Sequence, residues 1–177
     1  AKEFEEFRPQ LKSYVLRMTA STENTEDIIQ ETYIKAHKGL SSFKEESSLK
    51  TWVFAIASNL ARDLLRNQKR WPENVTDICR EKALSNRSFL EEMMGIRMTS
   101  EQGEFEIKEH ITFCFGCVSK SLPIEQQVTL LLKEVYGFKV KEIAEIIDNT
   151  EAMVKYYLHV SRKRMIDVFD NRCSLIN

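Results

Sequence analysis

With 177 residues the chain has room for one or two small domains, and its 42% hydrophobic content is enough to bury a core. A formal net charge of −1 excludes a protein that coats nucleic acid by bulk charge, and a count of only 5 glycines and 3 prolines argues for helices over turn-rich β structure. No apolar run is long enough to span a bilayer, so the chain reads as an all-α cytoplasmic protein without membrane insertion.

Apolar residues at Phe4, Phe7, Leu11, Tyr14, Val15 and Met18 predict a first helix. The polar stretch 21–25 breaks it, and Thr25 reads as the N-cap of the next helix, with Glu26 and Asp27 in its first turn. That helix runs to Gly39 and turns Ile29, Tyr33 and Ala36 inward. Residues 40–48 form a loop holding Phe43. A long helix over 49–70 follows, with Trp52, Ile56, Leu60 and Leu64 as its buried stripe. Trp71-Pro72 stops it.

Residues 71–105 are polar and acidic and read as a linker, with a short helix between 87 and 98. The chain beyond it opens with a helix over 106–120, and Ser121-Leu122-Pro123 breaks that helix. The next helix covers 124–136 and ends at Gly137. From Val140 to Phe169 a short amphipathic helix, a turn of Asp148, Asn149 and Thr150, and a longer helix with a basic C-terminal half form a helix-turn-helix pattern. Such a unit places its second helix in a DNA major groove. Basic stretches at 50–70 and 155–164 on a near-neutral chain suit contact with DNA at two places, aided by a partner.

Residues 27–66, DIIQETYIKAHKGLSSFKEESSLKTWVFAIASNLARDLLR, resemble region 2 of the extracytoplasmic-function sigma factors. Residues 121–146, SLPIEQQVTLLLKEVYGFKVKEIAEI, and the helix-turn-helix they open resemble region 4. The resemblance implies two small helical domains joined by the acidic linker: region 2 over 1–70, the linker over 71–105 and region 4 over 106–177. It further implies core RNA polymerase and promoter DNA as partners, an anti-sigma factor as regulator, no required cofactor and no catalysis by the chain itself. Two other readings stay open. One is a free-standing helix-turn-helix regulator; the other is a degenerate sigma-like interaction module.

By the same resemblance, Asp27, Gln30 and Glu31 dock on the polymerase clamp; their spacing puts them on one helix face. Asn59, Arg62, Arg66, Lys69 and Arg70, with the loop 41–48, match the surface that reads and melts the −10 element. An Asn can hydrogen-bond an extruded base and cations can hold the phosphates. Thr150, Glu151, Ala152, Lys155 and Tyr156 match the −35 reader, with His159, Arg162 and Lys163 near the DNA backbone. Tyr156-Tyr157 departs from the family's usual Ser-Arg, so its −35 preference does not carry over.

His110, Cys114 and Cys117 have the spacing of one helix face, and Cys173 can complete a Cys3His zinc set. Buried thiols and a redox pair are the competing readings.

Overall fold

The computed structural model describes residues 2–19, 21–43, 47–67 and 121–172. The linker and the helix expected over 106–120 lie outside them, and among the described residues there is no strand. Helix α1, Lys2–Thr19, buries the six apolar residues that its spacing marked, Phe4, Phe7, Leu11, Tyr14, Val15 and Met18. Helix α2, Thr22–Gly39, starts earlier than expected, because Ser21 caps it by accepting from the Asn24 amide at 3.2 Å. Thr25 is therefore no cap. It is buried inside the helix, where its hydroxyl donates to the Ser21 carbonyl at 2.6 Å. Ile29 and Ala36 face inward as expected, but Tyr33 is 46% exposed and Thr32 takes the inner position. Tyr33 instead lies over Phe4, ring centroids 5.5 Å apart.

A 3-10 turn, Leu40–Ser42, leads toward helix α3, Leu49–Asn67. Here the expected stripe is displaced. Trp52, Ile56, Leu60 and Leu64 are only half-buried, while Val53, Phe54, Ala57, Ser58, Ala61, Arg62 and Leu65 are buried. A strict period of four drifts about 40° per step against 3.6 residues per turn, so such a row winds off any one face. Ala57, Ser58 and Ala61 are small enough to let neighbouring helices approach closely. Trp52 stacks on Phe43 at 4.9 Å and covers Gly39, where an added Cβ would come within 3.0 Å of the indole.

Helix α4, Ile124–Leu130, begins after Pro123 and continues as a wider π turn, Leu131–Val135. Gly137 then turns the chain at φ 71°. Helix α5, Val140–Ile147, ends at Asp148 in the left-handed region, φ 52°, which Asp tolerates better than most residues. Thr150 caps helix α6, Glu151–Arg172, by accepting from the Met153 amide at 3.2 Å. The turn matches the sequence pattern residue for residue. No described helix is long and apolar enough to cross a membrane.

Residues 1–70 and 123–161 fold together as one unit. Phe54 and Phe138 meet at 4.9 Å, and Tyr136 sets its ring edge-on to Tyr14 at 5.6 Å. The Tyr136 hydroxyl is 3.0 Å from that of Ser13, and the Tyr14 hydroxyl 2.8 Å from that of Ser58. Burial raises the phenol pKa of both tyrosines above the ordinary 10.0; the Ser58 and Ser13 hydrogen bonds oppose the shift without cancelling it. A raised phenol pKa means the stability from these neutral, buried groups is fully present below about pH 10 and is lost as pH rises beyond it. A urea midpoint insensitive to these groups below pH 10 and falling steeply above it is the expected result. Tyr14→Phe should reduce that alkaline fall, and an undiminished fall in that variant would contradict the assignment.

Candidate nucleic-acid interface

Helix α6 has two contrasting sides. Val154, Leu158, Ser161 and Met165 are buried. Glu151, Ala152, Lys155, Tyr156, His159, Arg162 and Lys163 are all exposed. At about 100° per residue these exposed positions fall within an arc of roughly 140°. Sequence reasoning marked the same residues, and the fold puts them on one open stripe that begins at the N-terminus capped by Thr150. That end carries the positive pole of the helix dipole and suits a phosphate. Tyr156 is 56% exposed, and its ring lies 6.0 Å from that of Tyr157, which is half-buried.

On α2, Asp27, Gln30 and Glu31 are exposed together, and Ile34 extends their row one turn further at 37% exposure. Glu31 meets Lys35 at 3.6 Å, both side chains about half exposed, so the carboxylate is held only loosely.

The third cluster differs from expectation. Asn59 is exposed and Arg66 half exposed, but Arg62 is buried. Its Nη1 donates to Glu125 Oε2 at 2.9 Å and to the Ile147 carbonyl at 3.3 Å, and its Nη2 donates to Asn59 Oδ1. Arg66 Nη2 donates to the other carboxylate oxygen, Glu125 Oε1, at 2.8 Å. Arg62 therefore does not lie on an open solvated face. The Ile147 carbonyl is one of the last on α5, left without an intrahelical partner, and a cation there is also favoured by the helix dipole. Sequence reasoning missed Glu125 because it lies 63 positions from Arg62, and no local pattern signals a pairing at that range. Lys50 Nζ lies 5.0 Å from the Phe138 ring centroid and 5.8 Å from that of Phe54.

Lys69, Arg70 and the candidate metal set of His110, Cys114, Cys117 and Cys173 lie outside the described residues. Among the described residues no group of His, Cys, Asp or Glu is placed to hold a metal ion.

Known proteins resemble the chain along most of its length. The profile for Sigma-70 region 2 matches residues 4–70, and that for Sigma-70, region 4 matches residues 113–165. An ECF RNA polymerase sigma-E factor of Haemophilus influenzae is 31% identical over 134 residues, covering 76% of this chain and 68% of the relative. The ECF RNA polymerase sigma factor SigG of Mycobacterium tuberculosis is 29% identical over 171 residues, 91% of this chain. This chain spans only 46% of the length of SigG. Among solved structures, the sigma factor RpoE in complex with the anti-sigma factor NepR from Bartonella quintana superposes with a TM-score of 0.64 over 97% of both chains at 18% identity. CnrH, solved with the cytosolic domain of CnrY, gives 0.65 over 97% of this chain and 88% of its own at 14% identity. At such identities the structural likeness concerns the fold.

Proposed function

The chain belongs to the extracytoplasmic-function group of the sigma-70 family, and on that premise we propose that it binds core RNA polymerase and directs it to promoters. The observation that carries the reading is the pair of open faces, Asp27, Gln30 and Glu31 on α2 and Lys155 to Lys163 on α6, set on the two segments that the family profiles match. The first docks on polymerase, and the second enters the major groove of the −35 element. Asn59, Arg62, Arg66, Lys69 and Arg70 serve the −10 element, Asn59 holding an extruded base and the cations holding phosphates. The chain recognises, and the polymerase does the chemistry, so no cofactor is required for it. An anti-sigma factor is the regulator, as NepR is a partner of RpoE. The setting is cytoplasmic.

For His110, Cys114, Cys117 and Cys173, buried thiols, structural zinc and a redox pair of cysteines are separate proposals. A zinc content below about a tenth of an equivalent in purified protein sets the metal aside.

Reconstitution with bacterial core polymerase tests the function. Co-elution with core and promoter-dependent transcripts from DNA of the chain's own organism are expected. Failure to bind core defeats the reading. Core binding without initiation favours the degenerate sigma-like module, which the Tyr156-Tyr157 departure makes the natural second reading. As a residue test, Glu31→Arg should weaken core binding about tenfold, near 1.4 kcal/mol. Its melting temperature should stay close to that of the parent, since the exposed pair with Lys35 adds little stability. Unchanged core affinity would remove α2 from the docking surface.

A further inference from the structure

We propose that Glu125 is an internal stand-in for DNA phosphate: clasped by Arg62 and Arg66, it holds the −10 face of α3 shut against the helix-turn-helix until promoter DNA takes its place. The proposal rests on the sigma reading above and adds a device for regulating it.

Each oxygen of the Glu125 carboxylate takes one guanidinium, Oε2 from Arg62 at 2.9 Å and Oε1 from Arg66 at 2.8 Å. A carboxylate and a phosphate offer the same paired oxygens to a guanidinium, so they compete for the same donors. Arg62 is only 7% exposed in this arrangement and also caps α5 through the Ile147 carbonyl. It cannot grip a phosphate without leaving both partners. Asn59, the base-holding candidate, has its Oδ1 occupied by the same guanidinium. One carboxylate from α4 thus engages two of the cations of the −10 face and, through Arg62, its amide.

The packed state is also too short for a promoter. Elements centred at −10 and −35 are about 25 base pairs apart, roughly 85 Å at 3.4 Å per pair. Here α3 lies directly against α5, so both elements cannot be read until the two segments separate.

A charged clasp suits a reversible lock. The Arg62 side chain is buried and that of Glu125 is 29% exposed, so both lose water on pairing, and the pair adds little net stability against an open state in which both are hydrated again. Losing one partner while the other stays buried is costly, however, so the clasp closes only in register. Arg62 Nε has no hydrogen-bond partner among the described residues, so its guanidinium is incompletely satisfied even when closed. The aromatic contacts of Phe54 with Phe138 and of Tyr14 with Tyr136 give the closed state its apolar share.

The test uses the full chain without polymerase. Glu125→Gln and the parent are compared by small-angle X-ray scattering and by anisotropy of a fluorescein-labelled, mixed-sequence single-stranded oligonucleotide. The expected result is a larger radius of gyration and about tenfold tighter oligonucleotide binding, with parental helix content by circular dichroism. Parental size and parental affinity would overturn the proposal. So would an expanded chain with no gain in binding, since the freed arginines would then not be the phosphate grip. Core polymerase binding, measured separately, stays intact in either failure if the sigma reading itself is sound. Should Glu125→Gln lose helix content, Arg66→Glu replaces it in the scattering measurement. Its side chain is 55% exposed, and the new carboxylate would repel Glu125. An unexpanded Arg66→Glu chain overturns the lock equally.

Discussion

Phe54→Ala is expected to lower the unfolding free energy by about 3–5 kcal/mol, the usual range for emptying a fully buried phenylalanine site. Phe54 has no solvent exposure, and its ring meets four others: Phe138 at 4.9 Å, Tyr14 at 5.4 Å, Tyr136 at 6.3 Å and Phe7 at 6.5 Å. Those rings come from α1 and from the 123–161 segment, so the cavity would open where several elements converge and where no single side chain can move in to fill it. A loss of this size is a large share of the 5–15 kcal/mol available to an ordinary domain. The measurement is a urea titration followed by circular dichroism, with Trp52→Ala alongside. Trp52 is larger, but it is half-buried and stacks chiefly on Phe43, so its removal should cost clearly less. If the tryptophan variant proved the less stable of the two, the assignment of the α3 core face would be wrong.

That comparison separates what was legible in the sequence from what was not. The α1 face and the helix-turn-helix were readable because each depends on local rules, helical spacing in one case and turn and cap chemistry in the other. The left-handed Asp148 and the Thr150 cap follow from side chains acting within a few residues of themselves. The exposed stripe of α6 was readable for the same reason. Helix α3 was not, because it is apolar on more than one side. Its large residues suggested the row through Trp52 and Leu60, yet packing chose the side where Ala57, Ser58 and Ala61 allow close approach. Thr25 failed as a cap because Ser21, four residues earlier, could do the same work and start the helix sooner. The burial of Arg62 was the least accessible, since an arginine three residues from Asn59 on a basic helix looks solvated until Glu125 is brought to it by tertiary structure.

Lys155→Glu is expected to weaken binding of the polymerase-bound chain to duplex DNA carrying its −35 element by about 30- to 100-fold, or 2–3 kcal/mol at 1.4 kcal/mol per tenfold. Lys155 lies one turn into α6 on its exposed side, between the neighbours Glu151 and His159 on the same stripe. The substitution removes a cation and also sets a carboxylate against phosphates, so it does more than a neutral change could. Its signature is as informative as its size. A lost phosphate contact weakens all sequences nearly alike and lowers the slope of log affinity against log salt by about one. Tyr156→Ala makes the contrast, because the exposed phenol carries no charge and, on the proposed reading, meets base edges. That variant should leave the salt slope alone and instead relax preference at one position by about 1–3 kcal/mol. Affinity across a set of single-base promoter variants, taken at several salt concentrations, separates the two. A uniform loss with unchanged preference for Tyr156→Ala would assign the tyrosine to packing against Tyr157. A changed preference with an unchanged slope for Lys155→Glu would make the lysine a base reader and not a phosphate contact.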